Sequence, residues 1–172
     1  MASVLGHSVV GYTVSKVITD NNSKLLVFFA IASTVLPDLD VLSFSFGIPY
    51  PHPLGHRGFS HSILFALLWS LLIMVAVGKR NKVVWFSVIF LSTLSHGILD
   101  AMTSGGMGVG FFIPFNNDRF FFPFREIKVS PLGIKDFFSD WGIQVILSKI
   151  KYIGLPCIIV LVILKVIKKA QS

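Results

Sequence analysis

Two stretches, residues 61–78 (HSILFALLWSLLIMVAVG) and 83–99 (VVWFSVIFLSTLSHGIL), run without a single Asp, Glu, Lys or Arg. Each approaches the roughly 20 residues needed to cross a hydrocarbon core, so the chain has to fold with a bilayer as part of its solvent. Two shorter apolar runs, 25–36 (LLVFFAIASTVL) and 152–164 (YIGLPCIIVLVIL), must extend through flanking polar residues or stop partway. The first 18 residues are less apolar. Their small and hydroxyl residues, Ser3, Gly6, Ser8, Gly11 and Thr13, suit close packing against other helices rather than lipid contact. No basic n-region opens this segment and His7 interrupts it, so it reads as mature structure and not as a signal peptide. The expected fold class is all-α: a polytopic membrane helical bundle of about four to five segments with a long interfacial loop, forming one membrane-embedded domain over residues 1–172.

Composition narrows the function classes. Of 172 residues, 53% are hydrophobic and 13% charged, and mean hydropathy is +0.78. Soluble domains carry roughly 25% charged residues, which argues against an ordinary cytosolic enzyme. A chain this apolar is not disordered either. The 15 basic and 8 acidic residues leave a net charge of +7. In a soluble protein that balance would point to nucleic acid; beside this hydropathy it points to anionic headgroups and cytoplasmic loops. Membrane lipid is the expected partner, and nucleic acid is not. Cys157, the single cysteine, lies in an apolar run, cannot form an intramolecular disulfide, and is silent about redox compartment.

The connections are uneven. Polar turns at 19–24 (TDNNSK) and 79–82 (KRNK) are short, whereas 41–60 contains Pro49, Pro51 and Pro53, and 101–151 is long. Seven of the 17 phenylalanines fall in 111–124, too broken by proline and charge to span, and an interfacial or re-entrant cap is expected there. If every segment crosses, Lys16, Lys24, Lys79, Arg80, Lys82, Lys165, Lys168 and Lys169 collect on one side in short stretches. Arg57, Arg119, Arg125, Lys128, Lys135, Lys149 and Lys151 are spread over the long loops of the other. Dense positive charge beside segment ends makes the first side cytoplasmic.

Ionisable side chains at membrane depth are costly, and those retained there are functional candidates. They are His7, Asp38, Asp40, His61, His96 and Asp100. His96 and Asp100, four apart on one helix, share a face and could take a divalent metal together or form a plain hydrogen-bonded pair. Asp38 and Asp40 in VLPDLD would diverge on a regular helix, so one points away or the chain turns; capping a helix is their bland role. Under the alternating topology all six residues, with His56, fall toward one face. Mixed histidine and carboxylate ligands suit zinc, with manganese as the alternative. A water on such a metal can attack an ester or phosphoester near neutral pH. His56 and Arg57, in GHRGFSHS, are the candidate catalytic pair that would hold or protonate a leaving phosphate. His52 reads as an exposed loop residue. GGMGVG (105–110) lacks the strand, spacing and Lys-Ser/Thr ending of a phosphate loop. No nucleophile elbow accompanies the serines, which are expected to have ordinary helix roles.

GHSVVGY, LPDLD, HRGFSHS, SHGILDAMTSGG and FPFREIKVSPLG, taken in order, resemble the YdjM-like family of bacterial inner-membrane proteins, described as metal-dependent hydrolases; the resemblance covers most of residues 1–133. It implies a helical inner-membrane protein with a metal site built from these motifs. More distantly, the order of His7, Asp38, His61, His96 and Asp100 is similar to the zinc-dependent phospholipase C and P1 nuclease group of all-helical phosphoesterases. This chain departs from that group after Asp100, where no further His follows and Glu126 is the only Glu, so one or two metals are expected rather than three.

The expected function is a membrane-bound metal-dependent hydrolase acting on an ester or phosphoester that could belong to a lipid, its site near the extracytoplasmic face. Asp38, His61, His96 and Asp100 are the first choice of metal ligands, with His7 and Asp40 as additions. The alternatives are a noncatalytic metal-binding membrane protein and a metal or proton transporter. A transporter should hold its ionisable residues at mid-membrane, whereas this chain gathers them toward one face.

Overall fold

A computed structural model describes residues 4–19, 23–78, 80–130 and 139–171. Helix α1 is Val4–Ile18, and α2 is Lys24–Val35, whose first turn is capped by the Ser23 hydroxyl accepting from the Leu26 amide at 3.4 Å. Pro37 brings no amide donor and would break an α-helix. Here the chain tightens into a 3₁₀ helix, Leu36–Phe46, that ends on Gly47 in the left-handed conformation. Helix α3 is Ile63–Ala76 and α4 is Lys82–Ala101. Helix α5, Asp140–Lys149, passes through one π turn, Ile150–Gly154, into α6, Leu155–Gln171.

The short apolar runs extend. Lys24–Phe46, Lys82–Ala101 and Asp140–Gln171 are long and apolar enough to cross a membrane. The run at 61–78 behaves differently from expectation. His61 ends a short 3₁₀ turn, Phe59–His61, and the Ser62 hydroxyl caps α3 by accepting from Phe65 N at 3.0 Å, so only 14 residues are α-helical. At 1.5 Å per residue α3 is about 21 Å long, short of a hydrocarbon core about 30 Å thick. It is an apolar helix but not by itself a full span, a correction to the reading of 61–78 as a firm crossing.

Helix α1 packs against α2 and α4, and α3 against α4. The small residues of α1 serve as expected: a Cβ at Gly11 would lie 2.8 Å from the Ala30 carbonyl oxygen, so α2 can come this close only to glycine. Leu26, Ala30, Ile73, Trp85, Val88 and Ile89 form the core at that half of the bundle. Basic residues mark its end: Lys24 and Lys82 open α2 and α4, and Lys16 shares a groove with Lys165 and Lys168. Lys79 and Lys135, which entered the charge count, lie outside the described residues.

Residues 102–130 close the opposite end as a non-helical cap with isolated β-bridges at Thr103–Ile127 and Val109–Phe120. Arg119 fastens it, donating to the carbonyls of His56 (2.8 Å), Tyr50 (3.0 Å) and His52 (3.1 Å). Ile127 packs with Ile153 and Cys157, joining cap to π turn and α6. Phe112, Phe115, Phe120, Phe122 and Phe124 are exposed, as an interfacial cap requires.

Candidate metal centre

Beneath the cap, the ends of three elements bring four ionisable side chains together. His96 and Asp100 stand one turn apart on the last turns of α4, Asp38 lies in the first turn of the 3₁₀ helix, and His61 ends the turn before α3. One ligand atom from each lies within 4.8 Å of all the others, and all four residues are buried. His61 Nε2 is 3.0 Å from His96 Nε2. Asp38 Oδ1 lies 3.4 Å from His96 Nε2 and 3.9 Å from His61 Nε2. Asp100 Oδ2 lies 3.7 Å from His61 Nε2 and 4.0 Å from His96 Nε2.

The other nitrogen of each ring decides what those Nε2 atoms are. His96 Nδ1 donates to the Thr34 carbonyl at 2.6 Å. His61 Nδ1 lies 3.1 Å from Asp40 Oδ2 and 3.0 Å from Ser60 Oγ. With the Nδ1 proton committed to an oxygen on each ring, a neutral imidazole presents a lone pair at Nε2. Two lone pairs therefore face each other at 3.0 Å with two carboxylates beside them, an arrangement that requires a cation or a proton between. Donors about 2.0–2.1 Å from a tetrahedral zinc ion lie about 3.3 Å apart, inside the range of separations seen here. Among the described residues neither Asp38 oxygen has a hydrogen-bond partner. The residues present fit a divalent metal.

Asp38 and Asp40 address opposite nitrogens of the His61 ring. Two residues apart on a 3₁₀ helix they are separated by about 240°, and the chain passes His61 so that Asp38 faces Nε2 and Asp40 faces Nδ1. Asp40 also accepts from His56 Nδ1 (2.6 Å), Arg57 N (3.0 Å) and Ser60 Oγ (2.6 Å). Asp40, His56 and His61 are close enough to form a second ligand group. Protein donors already saturate this carboxylate, however, and that is the position of a group orienting a metal-binding histidine from behind.

His7 is fully buried on α1 and stacks on His96 with ring centroids 3.9 Å apart. Its Nε2 lies 3.7 Å from Asp100 Oδ1, and neither ring nitrogen has a hydrogen-bond partner among the described residues. His7 thus borders the second oxygen of Asp100 and does not enter the four-residue group.

Arg57 is turned inward, 1% exposed and at positive φ. Its Nε is 2.9 Å from Asp100 Oδ2, an ion pair without hydrogen-bond alignment. NH1 donates to Gly105 O at 3.0 Å and NH2 to Thr103 Oγ1 at 3.1 Å. The anion it meets is therefore Asp100, where sequence reasoning expected a phosphate. The glycine run acquires a role here. At Gly106, in the left-handed conformation, a Cβ would lie 2.5 Å from Arg57 NH1 and 3.0 Å from the Tyr50 hydroxyl, so the turn folds tightly over the guanidinium. Burial pushes the Tyr50 phenol above its ordinary value while Arg57 pulls it down. Within this cluster three carboxylates face one guanidinium, leaving two negative charges for protons or a divalent cation to neutralise.

His7, Asp38, Asp40, His56, Arg57, His61, His96 and Asp100 all lie in or beside this centre, whereas His52 is exposed in the loop as expected. Sequence reasoning missed the Thr34 carbonyl, which no motif marks, gave no role to Thr103 and Gly105 although both lie within SHGILDAMTSGG, and gave Ser60 only an ordinary helix role. Ser60 instead donates to Asp40 from the turn before α3. Its place immediately before His61 in GFSHS was the available signal.

No solved structure matches the chain. It is 43% identical over 139 residues to the inner membrane protein YbcI of Escherichia coli K12, covering 76% of this chain and 78% of that protein. The profile of the YdjM inner membrane protein family matches residues 1–172. By that match over its whole length, the chain belongs to the YdjM inner membrane protein family.

Proposed function

We propose that this chain is a membrane-bound metal-dependent hydrolase in which Asp38, His61, His96 and Asp100 hold a divalent cation, zinc in first place and manganese as the alternative. The observation that supports the reading is the pair of Nε2 atoms 3.0 Å apart, each on a ring whose Nδ1 is committed to an oxygen. Bound there, such a cation supplies a Lewis acid and lowers the pKa of a water it holds toward neutrality. Asp40 and the Thr34 carbonyl fix the two rings, and Arg57 pairs with Asp100 and holds it in place. His7, beside the far oxygen of Asp100, is the additional metal ligand. His56 donates its Nδ1–H to Asp40 as a hydrogen bond, which leaves the Nε2 lone pair to take a proton and pass it to a leaving group. The substrate is an ester or phosphoester of a membrane lipid, reached from the extracytoplasmic side.

The test is turnover of a panel of phosphodiester and lipid ester substrates by the detergent-purified protein. Hydrolysis that stops on chelation, returns with zinc or manganese, and is absent from the His61→Ala variant supports the proposal. Stoichiometric metal with no turnover of any substrate overturns it. That result would establish the second reading, a noncatalytic structural or regulatory metal centre. The sealing of Arg57 at 1% exposure favours this alternative. A structural metal stabilises its fold strongly, so chelation would then lower the melting temperature sharply.

A further inference from the structure

Beside the capped end, α1 and the α5–π turn–α6 run enclose a groove of about 330 Å³. Leu5 and Val9 line it from α1, and Ile146, Ile150 and Ile153 from the other side. Its volume falls within the range of small-molecule sites, about 300–1,000 Å³. Gly154 leaves it open: a Cβ there meets nothing nearer than the Lys149 carbonyl oxygen at 3.8 Å. The groove lies along Asp140–Gln171, a run long and apolar enough to span a membrane.

One lining residue breaks the apolar pattern. Lys149 is 7% exposed, and its Nζ donates to Ser130 Oγ of the cap. A lysine with an apolar route to water carries its ammonium out along its stem, but Lys149 turns inward to where the cap and the groove meet. Among the described residues no acidic side chain lines the groove. A hydrocarbon slot ending in one buried ammonium is complementary to an acyl chain that carries an anionic headgroup.

We infer that the groove between α1 and the π turn is a binding site for an anionic phospholipid, one acyl chain lying along Leu5, Val9, Ile146 and Ile150, and its phosphate meeting Lys149. The site stands whether or not the His/Asp cluster holds metal. Where it does, the lipid bound here lies beside it.

Native mass spectrometry of the detergent-purified full chain, titrated with phosphatidylglycerol or phosphatidylcholine, tests the assignment. Metal content is measured on the same samples. The intact protein should retain one phosphatidylglycerol in preference to phosphatidylcholine. Lys149→Gln should weaken that retention about fivefold, the effect of one cation near an anionic headgroup, and remove the headgroup preference. Gly154→Leu should abolish retention by filling the groove, and Gly154→Ala, with circular dichroism on all variants, controls for folding. Metal content should be unchanged throughout. Equal phosphatidylglycerol binding by Gly154→Leu and the intact protein would overturn the inference. So would indifference to headgroup in the intact protein, or a lipid-free dimer, which would make a second copy the occupant.

Discussion

The two halves of the helix bundle are built from the same segments and hold opposite contents. Toward the basic end, α2, α3 and α4 bury Leu26, Ala30, Ile73, Trp85, Val88 and Ile89. Toward the capped end, the same segments or the turns beside them bury Asp38, His61, His96 and Asp100, joined by His7 of α1 and by Arg57. Apolar packing between helices asks for no compensation. Buried charge does: each ion must find a partner, and replacing such a cluster with hydrophobic residues is often neutral or stabilising. The capped end thus carries a cost that the basic end shows to be avoidable in this fold. Cost of that kind is retained for chemistry or ligand binding.

The contrast can be broken at either end. Arg57→Met leaves Asp100 beside its histidines without its guanidinium, and is expected to destabilise the metal-free protein by about 3–5 kcal/mol, as breaking a buried pair does. Unfolding in detergent with chelator present measures it, and a change below 1 kcal/mol would mean the pair matters little. At the other half, Leu26→Ala is expected to cost about 2 kcal/mol, the low end for such truncations, because packing rather than transfer from water is lost in lipid. Its metal stoichiometry should be unchanged; loss of metal there would show that the two halves are not separable. Asp40→Asn should lower metal affinity about 10–100-fold without lowering stoichiometry at saturation, the usual consequence of altering a group behind a ligating histidine. Competition with a chromophoric chelator reads this, and full loss at saturation would make Asp40 a direct ligand. Smallest is Ser62→Ala, which removes the cap of α3 and should cost about 1 kcal/mol with metal affinity unaltered.

Much of the architecture was legible because the bilayer imposes simple rules. Charge-free runs announced helices, and small residues announced the tight contact at Gly11 against Ala30. The placement of six ionisable residues at one end followed from alternating crossings alone. The length of α3 was not legible, because it depends on His61 and Ser62 leaving the helix for a 3₁₀ turn and a cap. VLPDLD posed its own question: two acids at that spacing diverge on any helix, but only the position of His61, over twenty residues later, shows that they serve its two nitrogens. Arg57 shows the same limit. A guanidinium beside a histidine reads as an anion site, and sequence cannot tell that the anion is Asp100 of another helix. The Thr34 carbonyl is beyond any motif, since a backbone oxygen carries no residue signature.

The central claim is that the two facing imidazoles meet over a metal and not over a shared proton. Elemental mass spectrometry of the detergent-purified protein, beside the His96→Ala/Asp100→Ala double variant, addresses it directly. Zinc or manganese near one or two equivalents, absent from the double variant while its helicity persists, is the expected result. Metal absent from both proteins after supplementation would contradict the account, leaving a protonated intramembrane hydrogen-bond network beneath the cap.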